Sequence, residues 1–286
     1  MRAILFQPGG LRVLTGADAE ALARKGRPAG DAYVWLDVDA EDVVKLAEPF
    51  RLHHLAIEDC LNQEQRPKLD EYEDCSFLVV NVAREWSGRH IEIDELDLFL
   101  GEGFLITSHQ VDLETVTRVM DQVSRASHQA PLGEILHKLL DVTVDSFFPA
   151  LDEIGDNLEI LEEEILGRQS RSAMEELFRL KRKLLRIRKV LLPQRDLLHS
   201  LTVRDLPTVD EKLKRYLIDV YDHAMRLSEL AETYRELVSS ALEAHLSATA
   251  NRTNDIMKVM AAASAMFLPL NLIAGLYGMN FARVPL

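Results

Sequence analysis

The apolar positions of this chain change their period twice along its length. Up to about residue 110 they gather in short runs with Gly-rich turns between them: Ala3 to Phe6, Leu11 to Leu14, Ala32 to Val38, Ser76 to Ala83, Ile91 to Leu100 and Phe104 to Thr107. Such runs predict β-strands. Helical stretches interrupt them at roughly Ala40 to Phe50 and His54 to Leu61, and helices follow from about Leu113 to Arg125 and from Leu132 onward. Residues 1–131 are therefore expected to form an α/β domain, a mixed sheet with flanking helices. Residues 132–208 read as almost wholly helical, and two of these helices carry opposite charge. One holds Asp152, Glu153, Asp156, Glu159, Glu162, Glu163 and Glu164; the next, about Ser172 to Leu198, holds Lys181, Arg182, Lys183, Arg186, Arg188, Lys189 and Arg195. Gly167 and its polar neighbours mark a turn, which predicts an antiparallel hairpin with solvated, mutually attracting faces.

The longest element begins near Val209, after Pro207, and meets no Pro or Gly until Pro269. Its apolar positions Leu213, Leu217, Val220, Ala224, Leu227, Ala231, Tyr234, Val238 and Ala241 alternate spacings of four and three, a heptad seam that needs partner helices. Residues 209–257 read as a stalk that continues into residues 258–280. Between Lys258 and Arg283 lie 24 residues without a charge. At about 1.5 Å per residue that run crosses a hydrocarbon core roughly 30 Å thick. Residues 281–286 then begin the segment beyond it.

The transmembrane run is not uniform around its axis. Asn254, Met257, Ala261, Ser264, Leu268, Asn271, Gly275 and Gly278 recur every three or four residues as a narrow, largely small or polar stripe. The other faces carry Val259, Phe267, Leu270, Leu272, Ile273 and Leu276 and suit membrane lipids. An amide such as Asn271 at membrane depth must hydrogen-bond to protein or water. With one helix of this kind in the chain, the partner has to be another copy, and a homo-oligomer about a shared axis follows. Spacing alone leaves open whether the stripe makes a dry, close-packed contact or lines a pathway.

A net charge of −14 argues against nucleic acid and suits cations. No signal peptide is visible, since the apolar run after Arg2 ends at Pro8, so residues before about 250 are expected in the cytoplasm. Arg252 and Lys258 on the near side of the run against Arg283 on the far side favour that orientation slightly. Cys60 and Cys75 form no CxxC pair, which fits a reducing compartment. His53 and His54, adjacent on a helix, make a poor metal pair, and His223 and His245 lack a second ligand at i+4 and read as packing or surface residues. With no GxSxG, HExxH, P-loop or dinucleotide fingerprint, the chain does not read as an enzyme.

The segment from Met257 to Phe281, ending Tyr277-Gly278-Met279-Asn280-Phe281, resembles the first transmembrane helix and Gly-Met-Asn signature of the CorA family of divalent-cation channels. The similarity extends back through Val220-Tyr221-Asp222-His223, Ile57-Glu58-Asp59-Cys60-Leu61-Asn62 and Gln65-Arg66-Pro67-Lys68, covering the chain from about residue 30. The resemblance implies a homopentamer in the inner (cytoplasmic) membrane that moves Mg²⁺, alternatively Co²⁺, Ni²⁺ or Zn²⁺. It implies a selectivity filter at Gly278, Met279 and Asn280, a pore lined by the stripe from Asn254 to Gly275, and regulatory divalent ions held by Glu58, Asp59, Asp141 and Asp219. A helix C-cap at Gly278 is compatible with a filter there. For the acidic and basic helices, a role in attracting cations near a pore mouth is the alternative to the solvated hairpin. Family members carry a second transmembrane helix after a short acidic loop; this sequence ends at Leu286, which leads us to expect a truncated stretch of a longer protein. Because Ala282 to Leu286 contain no acid, the zinc-transporting branch of the superfamily is the alternative, and a non-transporting, membrane-anchored metal-sensing scaffold the second one.

Overall fold

Alternation along a strand sends successive side chains to opposite faces, and here it builds two cores from one sheet. A computed structural model describes residues 1–62, 65–87, 90–126, 129–167, 171–204 and 209–278. Its strands are β1 (Arg2–Gln7), β2 (Gly10–Thr15), β3 (Tyr33–Asp39), β4 (Lys68–Glu71), β5 (Cys75–Ser87), β6 (His90–Gly101) and β7 (Phe104–His109). They lie in the order β2-β1-β3-β7-β6-β5-β4, parallel between β3 and β7 and antiparallel elsewhere, so the sheet is mixed as expected. One face presents Leu5, Leu36, Phe77, Val79, Phe99 and Ile106 to α1 (Ala17–Ala23), a 3-10 segment (Ala40–Leu46), α2 (Ala47–Phe50) and α3 (His54–Leu61). The other presents Phe6, Trp35, Leu78, Leu98 and Leu105 to α4 (Glu114–Arg125), α5 (Leu132–Asp145) and the helices beyond. The central strand β7 is buried at all six positions: Phe104 to Ile106 are apolar, and Thr107, Ser108 and His109 find partners in Asp37 and Cys60.

Two elements lacked a clear periodic signal. β4 is the polar edge strand Lys-Leu-Asp-Glu, and α1 is a two-turn helix entered through Gly16 at φ 56°. The stretch anticipated as one helix from Ala40 to Phe50 divides into its 3-10 and α parts and is ended by Arg51 in the left-handed region at φ 52°.

The helical part comprises α6 (Phe148–Gly167), α7 (Arg171–Val203) and α8 (Glu211–Gly278), the last 68 residues long. At 1.5 Å per residue α8 spans about 100 Å. Its seam finds its partners inside the chain. Leu213, Leu217, Val220, Ala224, Leu227, Ala231 and Val238 are buried with Leu177, Leu180, Leu184, Ile187, Leu191 and Leu198 of α7, which repeat at the same spacings. Tyr234 is half-buried, and its hydroxyl takes the space where a side chain at Gly155 of α6 would be: a Cβ there would stand 2.4 Å from the phenol oxygen.

The described side chains of the acidic and basic helices also make contacts outside the hairpin. Ile154, Leu158 and Leu161 join α6 to the core, whereas Arg188 of α7 pairs with Glu232 of α8 at 2.9 Å and Arg186 donates to the Ile91 carbonyl. Lys183, only 6% exposed, retains an electrostatic link to Glu153 of α6. The side chains of Glu162, Glu163 and Glu164 lie outside the described residues.

Candidate cation pathway and divalent-binding cluster

Beyond Leu242 no described residue of α8 is buried. Met257, Phe267 and Leu268 are 55, 60 and 69% exposed, so the single chain leaves both faces of the membrane-type segment uncovered. Residues spaced alternately three and four apart share one side of a helix, drifting by about 20° per heptad, and on this ground Asn254, Met257, Ala261, Ser264, Leu268, Asn271 and Gly275 form one stripe. A Cβ at Gly275 or at Gly278 would meet nothing within 4 Å, so nothing within the described chain requires glycine at either position. Asp255 and Lys258, at the entry, pair with each other at 2.9 Å. α8 ends at Gly278; Met279 and Asn280, with residues 281–286, lie outside the described residues.

The four predicted regulatory acids fall in two places. Glu58 and Asp59 sit on the last turn of α3, Glu58 exposed, and Asp59 Oδ2 is 2.6 Å from Lys68 Nζ, which also contacts Asp70 at 2.9 Å. The Lys68 ammonium thus occupies one of the two Asp59 oxygens. Asp219 is exposed on α8 and lies near Asp141 of α5, one turn before Asp145.

Here the structure assembles a group that spacing on a single helix did not reveal. Asp141, Asp145 and His223 offer ligand atoms all within 4.8 Å of one another, with His223 Nδ1 3.0 Å from Asp145 Oδ1 and 3.9 Å from Asp141 Oδ1. His223 was set aside for want of a second ligand at i+4; the ligands stand on a different helix. The i, i+4 acids of α5 were a trace of it in the sequence, beside the ligand role that the resemblance implied for Asp141. Partial burial, followed by the charge of Asp145, holds the Asp141 carboxyl above its ordinary range, opposed by His137 and His223 and aided by Asp219. Two carboxylates and an imidazole fit a divalent ion chemically, since each offers a lone pair and the ion would relieve their repulsion.

A profile of the family described as CorA-like Mg²⁺ transporter protein matches residues 30–286. The chain belongs to the CorA family. Among curated CorA-like relatives, the putative metal ion transporter YfjQ of Bacillus subtilis is 34% identical over 260 residues, covering 89% of this chain and 80% of its own. The cobalt/magnesium transport protein CorA of Thermotoga maritima is likewise 34% identical, covering 88% and 74%. More distant, the zinc transport protein ZntB of Yersinia enterocolitica is 20% identical across 98% of this chain and 85% of its own. The solved CorA magnesium transporter of Methanocaldococcus jannaschii superposes with a TM-score of 0.83 at 23% identity, covering all of this chain and 89% of that one, which shows the CorA fold.

Proposed function

We propose that this CorA-family chain is one subunit of a homopentameric channel that passes Mg²⁺ through the inner membrane and is gated by divalent ions bound on its cytoplasmic side. The observation that carries the reading is α8: one continuous helix, seated by its buried seam in the helical bundle, runs on as an uncharged, uncovered segment with Asn254 and Asn271 on one stripe. In this reading the stripe faces the axis, Met257 and Leu268 make apolar constrictions that exclude water, and Phe267 and Ile273 meet lipid or neighbouring helices. Gly278, Met279 and Asn280 form the outer filter. Mg²⁺ dehydrates reluctantly, so a ring of Asn280 carbonyls selects the hydrated ion without trapping it.

Gating follows from repulsion. Carboxylates about 4 Å apart repel by roughly 4 kcal/mol at an effective dielectric of 20, so losing ions shared between Asp59 of one subunit and Asp219 of the next, beside Glu58 and Asp141, opens the ring. Flux of Mg²⁺ into liposomes holding the full-length protein tests the whole reading: Asn280→Ala should abolish selectivity for the hydrated ion, and unchanged flux and block would leave Asn280 no role in the filter. Cysteine labelling should separate Leu268 from Phe267; equal labelling would remove the stripe from the pore. The double variant Asp59→Asn, Asp219→Asn should bind fewer ions and lose Mg²⁺ protection against protease.

A second reading, transport of Co²⁺, Ni²⁺ or Zn²⁺, is favoured by one observation. His223 gives the Asp141–Asp145 cluster a nitrogen donor, which suits transition metals better than Mg²⁺. Competition between these ions in the same flux assay decides it.

A further inference from the structure

The connection from α3 to β4 is pinned by hydrogen bonds. Glu95 Oε2 accepts the Gln65 backbone N–H at 2.8 Å, and Gln65 Nε2 donates to the Asn62 carbonyl at 3.1 Å. Lys68, the first residue of β4, is thereby brought against Asp59 on the last turn of α3, and Asp70, two residues further along the strand, leaves by the same face as Lys68. The ammonium stands between two carboxylates, 2.6 Å from Asp59 Oδ2 and 2.9 Å from Asp70 Oδ2. It also lies 5.9 Å from the centre of the Phe77 ring, opposite Asp70 on β5.

Lys68 and Asp59 are 31 and 27% exposed, so their charges are screened less than on an open surface. Among the described residues Asp59 makes no other hydrogen bond or ion pair. A carboxylate oxygen is the hard ligand that Mg²⁺ takes, and a half-exposed one leaves room for the waters that the ion keeps.

We propose that Lys68 is a built-in competitor for the cation at Asp59. Its ammonium sits on Asp59 when the divalent ion is absent, shifts onto Asp70 when the ion binds, and so sets the ion concentration at which the site fills. This rests on the reading of Asp59 as a divalent-ion ligand and adds the residue that tunes its affinity. An ion on the second Asp59 oxygen faces the ammonium a few ångströms away, and the two like charges repel. Binding is therefore favoured when the ammonium moves off. Asp70 is the place for it, already in contact, so Lys68 keeps one ion pair in both states and is never left half-buried without a counter-charge. A flexible four-carbon stem allows that shift without moving the strand.

Protection of the full chain in detergent against protease, titrated with Mg²⁺, gives a half-protecting concentration that reads binding without flux. Lys68→Met should lower it about tenfold, whereas Lys68→Arg, which keeps the charge, should leave it near the wild-type value. Asp70→Asn should raise it by more than Glu71→Gln, which removes the same charge from the other face of β4. That rise should vanish in combination with Lys68→Met, because Asp70 acts through the lysine. Asp59→Asn tells the two ideas apart. If it leaves the half-protecting concentration unchanged, Asp59 is no ligand and both fall. If it raises that concentration while Lys68→Met does not lower it, or while Lys68→Arg lowers it as much as Lys68→Met, the competitor alone is overturned. Should Lys68→Met not fold, Asp70→Asn still decides: a rise no greater than that of Glu71→Gln overturns the proposal.

Discussion

The two halves of α8 are both rich in apolar residues, yet from Leu213 to Leu242 the apolar side chains are buried in a seam of their own chain, and from Asn254 to Gly278 none is. In the lower half, apolar positions alternate with charges such as Lys214, Asp219 and Glu229, so one face goes to α5, α6 and α7 and the other to water. From Val259 to Gly278 there are no charges to sort the faces, and residues as different as Phe267 and Asn271 are both exposed. The difference teaches that an apolar residue is informative only together with what surrounds it: the lower seam is completed within one chain, whereas the upper stripe is left uncovered by it.

The sharpest way to break this comparison is truncation on each half. Leu227→Ala, fully buried between α8 and its partners, should cost about 2–5 kcal/mol, read as thermal unfolding of the detergent-solubilised protein. Leu272→Ala in the upper half should leave the unfolding of the cytoplasmic part unchanged; equal losses would mean that both halves are packed alike.

Next in size is a close approach of the seam to α6. Gly155→Ala drives a Cβ into the Tyr234 phenol, 2.4 Å from its oxygen and 2.9 Å from its ring. It should destabilise by about 1–3 kcal/mol, and Tyr234→Phe should recover only part of the loss because the ring carbon still clashes. Full independence of the two substitutions in a double-mutant cycle would show that α6 moves aside instead.

A smaller effect, on the order of 1 kcal/mol, separates the sheet from both halves of α8. Asp37 on β3, 3% exposed, receives Arg2 at 2.7 Å and Thr107 at 2.8 Å and lies 3.0 Å from His109 Nε2. Burial would raise the Asp37 pKa, but His109, Thr107 and Arg2 outweigh it and lower it; burial would lower that of His109, but Asp37, aided by Asp39 and Asp112, raises it. The Asp37 contribution is thus present above pH ~4 and lost as pH falls through its lowered pKa, whereas that of His109 is complete below pH ~6.5 and lost as pH rises through its raised pKa. Unfolding temperatures measured from pH 6 to 8.5 should fall less steeply for His109→Gln than for the wild type. Identical slopes would mean that the pair does not titrate there.

The smallest effect is expected at the boundary between the halves. Asp255→Asn removes the exposed partner of Lys258, 2.9 Å away, and should leave the unfolding temperature unchanged, as isolated surface pairs contribute little. A clear loss would mean that this turn is covered by something that makes the pair matter.

What the sequence alone determined are the features that depend on neighbours along the chain. The six apolar strand runs, the helix from His54 to Leu61, the heptad seam from Leu213 to Val238 and the uncharged run after Lys258 were legible because period and charge act over a few residues. The Gly-Met-Asn sequence was legible too, although Met279 and Asn280 lie outside the described residues. Tertiary structure alone decided that the seam closes on α7 of the same chain, that Arg188 goes to Glu232 and not to the acidic helix, and that Asp59 is held by Lys68. It also decided that His223 meets Asp141 and Asp145, and that Glu95 and Asp97 are buried under α3. The physical reason is the same in each case: a charge or a ligand takes whichever partner the packing of distant elements places within a few ångströms, and that distance is not a function of spacing along one strand or helix.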